Sequence, residues 1–563
     1  MTSKPYYKHI WKLDECNYEN LNEYYHDKLS DYANIFSDME PYDCVNELTG
    51  TIIEGMGHHV PHKFIKIRPN DKPWFTPHLR RLFVNCYKLH KKKNTTNRDI
   101  DILNYLNARR LAKTALKEAC RNYYINLNSK IENPETTSKT FWKLLKSIFD
   151  KNNTGLPTLN VDGIEISDDK GKAEALNNFF VSQSTILDDG SQLPPFNYTT
   201  DARLDHITIT ILEVKEILQN LETNKATGPD TISNKLLKEC AESLCGPLTF
   251  IFQLSLDLGI YPDQWKEALV RAIFKKIDPS LTKYYRPISL LSCISKVFEK
   301  VVFNHTYPYF INNGLLSPYN SGFRHNDSAI NRIIAMMEEL YTGLDNHEEA
   351  IFVSLDISKA FDRVWHRGLL YKLRRLGIEG KLLKWFESYL HNRKQRVMVG
   401  GQKSSLKHIN AGVPQGSILG PILFLVYIND MCDGLASDPH QFADDTTIIY
   451  RFKDNINAID IINNDLVLLT EWARQWKVIF NASKTFFMYI SNKINRPLLG
   501  NIYLCGQMIQ ECEQILTLGV TITRDLTWNK HITNIINKAS KRLHVLRRYK
   551  NHLPRKALET LYL

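Results

Sequence analysis

The strongest pattern lies in the second half of the chain. Ile351 to Leu355 is a short apolar run that ends at an aspartate, and it predicts a buried strand with Asp356 at its tip. HQFADDTTIIYRF predicts two short strands with Asp444 and Asp445 at the turn between them. Between these sites, NAGVPQGSILGPILFLVYINDM predicts a tight loop at Gly412, Pro414 and Gly416, then a buried helix after Ser417. From Pro77 to about Ile148 apolar residues recur at helical spacing among basic ones: Leu103, Leu106, Ala112, Ala115 and Ala119, then Phe141, Leu144, Leu145 and Ile148. This predicts a basic helical arm. The first 70 or so residues mix Tyr, Asp, Asn and His with short apolar stretches, which suggests a few helices and little more.

The polar stretch DDGSQLPPFNYTTD, Asp188 to Asp201, reads as a linker. After it, helical segments alternate with short apolar strands as far as Asn492, as in an α/β or α+β domain. A hairpin is expected near Ile502 to Thr523, followed by an amphipathic basic helix, and no internal repeat is visible. The expected division is therefore 1–190, 200–492 and 493–563.

With 563 residues the chain exceeds what one core usually supports, so two or three domains are expected. A content of 43% hydrophobic and 24% charged residues is that of a folded protein. The net charge of +11 and pI near 8.9 suit a phosphate-bearing partner, and the distribution sharpens this. Twelve Lys and Arg lie between Arg80 and Arg121 against Asp99, Asp101 and Glu118, and a second basic cluster runs from Lys538 to Lys556. Taken alone, the first run reads equally as a solvated helical face. The ten cysteines form no CxxC pair, so neither a zinc knuckle nor a disulfide framework is indicated and reduced thiols inside the cell are expected. MTSKPYYKHIW lacks an apolar signal region, and Ile418 to Ile428 is about half of what crosses a bilayer, so a soluble protein without membrane partners is expected.

Two adjacent acids at a hairpin turn repel each other unless a cation neutralises them. Joined to Asp356 on a neighbouring strand, Asp444 and Asp445 form a set of hard oxygen donors suited to Mg²⁺ and substrate phosphates. Two such ions roughly 3.5–4 Å apart can activate a hydroxyl nucleophile and stabilise a leaving pyrophosphate. The competing reading, an Asp-Asp pair that merely makes a turn, stays open at this point. The glycine loop is in the same position: it reads as a backbone approach to a nucleotide, or as an ordinary loop before a core helix.

SLDISKAFDRVWH, GVPQGSILGPILFLVYINDM and FADD, in this order, resemble the reverse transcriptases of non-LTR (LINE-like, jockey-type) retrotransposons. The resemblance extends through NKATGPDTISNKLLK, YYRPISLLSCISKVFEKVV, SPYNSGFR, FNASKTFFMYI and LTLGVTITRDLTWNKHI, and the arm from KPWFTPHLRR is similar to the segment preceding the polymerase. It implies an α+β right-hand polymerase with fingers, a palm bearing an antiparallel sheet, and a partial thumb, after a basic helical N-terminal region. It implies Asp356, Asp444 and Asp445 as ligands of two Mg²⁺, with Mn²⁺ as a substitute, and Phe361 as a steric gate favouring dNTPs. Gln415 and Gly416 would line the incoming nucleotide, Arg286 and Lys275 would meet its triphosphate, and Lys484 would protonate pyrophosphate. For Phe361 a core role, for Arg286 a surface ion pair and for Lys484 a solvated lysine are the competing roles. Leu518 and Gly519, with Val520, resemble a primer grip, and Arg542 and Arg547 would hold primer and template. The implied partners are an RNA template, a DNA primer and dNTPs, in the nucleus.

The sequence departs from the family at several places. No endonuclease motif is found, so target nicking is expected from an element-encoded endonuclease in trans, and the chain stops at LETLYL where the family pattern continues. KATGPDTI stands where KAPGPDGI is usual, which puts that loop's geometry in question. Phe442 replaces a common Tyr without consequence for metal binding. The rival from another class is a truncated, inactive remnant that still binds nucleic acid. A maturase- or telomerase-like enzyme is disfavoured by RPISLL and LGVTITRDLTWNKHI, and an RNA-dependent RNA polymerase by Ala443 and Phe361.

Overall fold

The computed structural model describes residues 6–68, 71–132, 156–190, 192–453, 457–493, 500–550, 555 and 558–559. The expected helical positions Phe141, Leu144, Leu145 and Ile148, and Lys556 of the terminal basic cluster, lie outside the described residues. In chain order come strand β1 (Tyr6–Trp11), helices α1 (Tyr18–Leu29) and α2 (Pro41–His59), strand β2 (His62–Ile67) and helices α3 (Pro77–Thr96) and α4 (Asp99–Glu132). Strands β3 (Leu159–Val161) and β4 (Ile164–Ile166) precede helices α5 (Asp169–Gln183), α6 (Ile211–Gln219) and α7 (Ala241–Leu258). Next are β5 (Glu267–Phe274), β6 (Tyr285–Leu290), α8 (Cys293–Asn312), α9 (Ala329–Asp345) and β7 (Glu349–Leu355). Helices α10 (His366–Arg375) and α11 (Gly380–Leu390), strands β8 (Lys394–Val399), β9 (Gln402–Lys403) and β10 (Lys407–His408), and helix α12 (Gly420–Tyr427) follow. The chain continues with β11 (Asp438–Phe442), β12 (Asp445–Phe452), α13 (Ala458–Gln475), β13 (Phe486–Ile490), β14 (Tyr503–Leu504), β15 (Gln507–Met508), β16 (Gln510–Glu511), β17 (Gln514–Thr517), β18 (Val520–Thr523) and α14 (Asn529–Tyr549).

These elements form two compact units. The smaller comprises residues 1–6, 66–155 and 532–563, the larger residues 7–65 and 156–531. In the smaller unit α3 and α4 pair as a helical hairpin that carries the basic arm. Its turn is fixed by Asn97 in the left-handed conformation (φ +49°) and by Asp101, which accepts from Thr96 Oγ1 at 2.7 Å and pairs with Lys92 Nζ at 2.9 Å.

The larger unit is α+β, built on two five-stranded sheets. One has the order β10-β8-β5-β6 with β9 on β8, and the other the order β11-β12-β7-β13-β16. The second sheet is antiparallel from β11 to β13. Its central strand is apolar on consecutive residues because both faces are covered. Ile351, Val353 and Leu355 enter the main core, whereas Ala350 and Phe352 join a second core with Met336, Met337 and Leu340 of α9. Helix α12, GPILFLVY, is apolar all round and buried all round. The segment leading into it is held by the buried Glu299 carboxylate, which accepts from the N–H groups of Ile418 (2.7 Å) and Leu419 (3.1 Å).

Three features differ from the sequence expectation. Helices α1 and α2, read as part of the N-terminal region, pack in the larger unit, because Leu21, Tyr25, Leu48 and Ile52 share its core with Leu244 and Leu248 of α7. The stretch read as a linker is anchored along its length: Phe196 is buried, Asp188 accepts from Trp365 Nε1 at 2.9 Å, and Tyr198 donates to Asp433 at 3.2 Å. In place of one hairpin near 502–523 there are two ribbons, β14–β15 and β17–β18, with β16 between them joining β13 in parallel. In KATGPDTI, Thr231 stands in the left-handed region (φ +65°) at the place where the usual pattern has Gly, a conformation that is strained for a β-branched residue.

Candidate active site

Strand β7 delivers Asp356 directly after its last residue, and the main chain there is tied on both sides. The Asp356 N–H donates to Thr485 Oγ1 (3.3 Å), and its carbonyl accepts from the Asn481 N–H (2.8 Å). Because Leu355 lies opposite Thr446 of β12, Asp445, the first residue of that strand, reaches the same end of the sheet. Phe442 pairs with Asp445, so Ala443 and Asp444 make a two-residue turn. Strand pairing thus brings Asp356, Asp444 and Asp445 to one sheet edge.

A second segment holds that turn. Ala443 is left-handed (φ +57°), and its N–H is accepted by Oδ1 of buried Asn320 (3.0 Å), which also accepts from Gly322 N–H (2.9 Å). The Gln441 N–H donates to the Tyr319 carbonyl (2.9 Å) and the Ser321 N–H to the Gln441 carbonyl (3.0 Å). Gly322 approaches so closely that a β-carbon there would lie 2.2 Å from the Ala443 nitrogen. Asn320, Gly322, Asn481 and Thr485 were not singled out from the sequence, although all four lie inside SPYNSGFR and FNASKTFFMYI.

Partial burial pushes the Asp444 carboxyl above the usual carboxylate range, with Arg286 opposing the shift and Asp356 adding to it. Burial raises Asp445 likewise, reinforced by repulsion from Asp444 and Asp356 and opposed by Lys275 and Arg286. The three carboxylates therefore sense one another and two cations. Lys484 Nζ lies 3.5 Å from Asp356 Oδ2 in a 3₁₀ turn, Ala482–Lys484. Lys275 follows β5 and Arg286 lies on β6, side by side on one hairpin through the Lys275 N–H to Tyr284 carbonyl bond (2.8 Å). Burial, and repulsion by Arg286, Lys276 and Lys484, lower the Lys275 pKa. Among the described residues no group of three or more His, Cys, Asp or Glu side chains converges closely enough to hold a metal as it stands. The donor chemistry nevertheless fits a hard divalent cation: three mutually repelling carboxylates at one edge, with an ammonium already against Asp356.

The glycine loop is locked to the segment after Asp356. Gly412 and Val413 donate N–H groups to Val364 and Phe361 carbonyls (both 2.8 Å), and Gln415 Nε2 donates to Asp362 Oδ1 at 2.7 Å. Burial pushes Asp362 up to about 6, with the Gln415 bond opposing. The Gln415 carbonyl accepts from Ser289 N–H (2.9 Å). The glycines permit approach to this chain itself: Gly412 is left-handed (φ +85°) against the Asp362 carbonyl, and a β-carbon on Gly416 (φ +135°) would lie 2.5 Å from the Ser289 oxygen. Phe361 is half-buried, stacked on Phe424 (ring centres 4.6 Å) and edge-on to Phe323 (6.0 Å). A groove of about 630 Å³ opens beside Gly416 and Ile418, lined by Lys225, Lys296 and Lys300.

Leu518 and Gly519 form the two-residue turn of β17–β18, both left-handed (φ +47° and +87°) as such a turn requires. Arg542 and Arg547 are exposed on α14, in the part that belongs to the smaller unit. No described helix is long and apolar enough to cross a membrane.

Residues 274–522 match the family model described as reverse transcriptase (RNA-dependent DNA polymerase). The chain is 33% identical over 339 residues to the RNA-directed DNA polymerase from mobile element jockey of Drosophila melanogaster, covering 58% of this chain and 36% of that protein. It is 32% identical over 329 residues to the probable RNA-directed DNA polymerase from transposon X-element of the same organism, covering 57% and 36% respectively. To the probable RNA-directed DNA polymerase from transposon BS, also of Drosophila melanogaster, it is 26% identical over 488 residues, covering 84% and 54%. The chain thus spans between about a third and a half of the length of these curated relatives. The matched stretch contains the aspartate-bearing sheet edge, so residues 274–522 are similar to a reverse transcriptase domain, and the chain resembles the RNA-directed DNA polymerases of these mobile elements.

Proposed function

We propose that this chain is an RNA-directed DNA polymerase that extends a DNA 3′-hydroxyl along an RNA template with dNTPs. The observation that carries the reading is the gathering of Asp356, Asp444 and Asp445 at one sheet edge, faced by Lys275, Arg286 and Lys484. On this reading the sheet from β11 to β13 is the palm and the sheet bearing β5 and β6 belongs to the fingers, within 200–492. Residues 493–563 supply the primer grip at Leu518 and Gly519 and a partial thumb carrying Arg542 and Arg547. Residues 1–190 precede the polymerase, with the basic arm on α3 and α4 and with α1 and α2 packed in the larger unit.

The three aspartates would hold two Mg²⁺, or Mn²⁺, which when bound activate the 3′-hydroxyl and stabilise leaving pyrophosphate. The chain's own residues do the rest. Arg286 and Lys275 neutralise the triphosphate. Lys484, an exposed ammonium beside Asp356, donates a proton to pyrophosphate. Phe361 walls off the ribose 2′ position, backed by Phe424, so a ribonucleotide clashes. Gln415 and Gly416 border the nucleobase, with Gln415 immobilised by Asp362 and Ser289. Lys225, Lys296 and Lys300 supply phosphate contacts for a single-stranded template entering beside Gly416. Target nicking is assigned to an endonuclease in trans, and the site of action to the nucleus.

The test is primer extension by the purified chain on an RNA template with Mg²⁺ and dNTPs, with Asp444→Ala in parallel. Incorporation by the wild type alone is expected. If neither protein incorporates while both bind primer-template, the chain is instead a nucleic-acid-binding remnant.

A further inference from the structure

Three residues past Asp356, Lys359 adopts the left-handed conformation (φ +52°), which a non-glycine residue keeps only where its surroundings hold it. Its carbonyl accepts from the N–H groups of Asp362 (3.0 Å) and Arg363 (3.1 Å). The side chain reaches the helix α5 face, where its ammonium lies 5.2 Å from the centre of the Phe179 ring. That helix is itself fixed: Ala173, Leu176 and Phe180 are buried against Ala268, Val270, Val397 and Val399 of the β5–β8 sheet. Phe179 lies outside the family match at 274–522 and far from it in sequence.

Asp362 attracts the ammonium, whereas Lys484 and Arg286 repel it. Asp362 already accepts from Gln415 Nε2, so it is shared. Burial, together with the repulsion from Lys484 and Arg286, holds the Lys359 pKa below the usual lysine range. Lys484 and Arg286 also repel Lys275, and Lys484 lies 3.5 Å from Asp356, so Lys359 belongs to the same charge network as the aspartate edge. Like charges held together against their repulsion form the arrangement that a polyanion stabilises.

We propose that Lys359 is a further phosphate-binding residue of the nucleotide site, contacting the triphosphate of the incoming dNTP, and that Phe179 is the positioning residue that fixes its ammonium. This assignment rests on the polymerase reading above. A ring beneath the ammonium orients the charge without neutralising it, which a carboxylate partner would do. It also gives α5, an element outside the matched family region, a part in nucleotide binding.

The experiment uses the full chain on poly(rA)·oligo(dT), with dTTP as the probe, and two readouts. One is steady-state incorporation; the other is the dTTP concentration that stabilises the complex with a dideoxy-terminated primer, which needs no turnover. Lys359→Ala is expected to raise both KM and this concentration about 10- to 100-fold, the worth of a charge-assisted contact, with kcat and primer-template affinity nearly unchanged. Lys359→Arg is expected to stay within about 3-fold, since the charge is retained. Phe179→Ala is expected to raise KM about 3- to 10-fold and Phe179→Tyr to restore it, the scale of a cation–π contact. Unchanged dTTP binding in Lys359→Ala overturns the proposal, as does a loss confined to kcat or to primer-template affinity. Should Lys359→Ala fail to fold, the Phe179 pair decides, and an unmoved KM in Phe179→Ala overturns it. A wild type that binds dTTP on the dideoxy complex but never extends a normal primer sinks the polymerase reading alone, and the Lys359 comparison is then read from binding. A wild type that binds no dTTP overturns both.

Discussion

Substituting Gly322 by Ala tests how the carboxylate turn is held. The added β-carbon would lie 2.2 Å from the Ala443 nitrogen and 2.9 Å from its Cα, whereas ordinary contact begins near 3.4 Å. Both groups are backbone, so no side chain can swing away, and one segment must retreat by about 1 Å. The retreat stretches the Asn320 Oδ1 bond to the Ala443 N–H, now 3.0 Å, and carries Asp444 with it. An overpacked site of this kind costs about 1–3 kcal/mol of stability. A 1 Å misplacement of a group at the reacting centre costs about 100-fold in rate. The assay is kcat for dTTP incorporation at saturating nucleotide, read beside a urea melt at the same temperature. Gly50→Ala is the control: it lies in α2, where an added β-carbon would meet nothing within 4 Å, and is expected to gain up to about 1 kcal/mol with kcat unchanged. A Gly322→Ala protein that turns over at the wild-type rate would refute the view that this close approach sets the position of Asp444.

Thr231→Gly should stabilise the chain by about 0.5–1 kcal/mol, since relief of the left-handed strain outweighs the added chain entropy; an unchanged or lower urea midpoint would count against it. Phe361→Val should cut discrimination against ribonucleotides by about 10- to 100-fold, the energy of one steric clash, as measured by the ratio of kcat/KM for dTTP and UTP; an unchanged ratio would remove the gate. His366 donates Nε2–H to the Gly412 carbonyl at 2.8 Å, and burial pushes its pKa down to about 4. Between its ordinary value near 6.5 and 4 the unfolded chain takes up a proton that the folded chain refuses, so stability falls as pH drops through that window, by up to about 3 kcal/mol. His366→Gln should flatten that slope in urea melts from pH 7 to 4, and an identical slope in the variant would contradict the assignment.

The carboxylate edge was legible in the sequence because the apolar run of β7 ends at Asp356 and the Asp444-Asp445 pair opens the apolar run of β12, and the pairing of the two strands then brings Asp356 and Asp445 to the same end. Helix α12 was legible for a similar reason, since an all-apolar segment after Gly416 has only the interior to go to. What holds these parts was not legible. Asn320 meets Ala443 across 123 residues of chain, and nothing local in PYNSG distinguishes a buried acceptor from a turn asparagine. The stretch from Asp188 to Asp201 misled because its composition is polar while Phe196, one residue within it, is buried and anchors it. Helices α1 and α2 carry an ordinary amphipathic pattern that says which face is buried but not against which partner. Thr231 was the reverse case: its departure from the usual Gly flagged the loop, and its backbone there is left-handed.

The most direct test of the central claim is single-turnover addition of dTTP to an oligo(dT) primer on an RNA template, comparing the wild type with Asp444→Asn while primer-template binding is followed by anisotropy. The account predicts Mg²⁺-dependent addition by the wild type and a loss of about 1,000-fold or more in Asp444→Asn, both proteins binding primer-template equally. Equal addition rates in the two, or no addition by a wild type that binds primer-template normally, would contradict it.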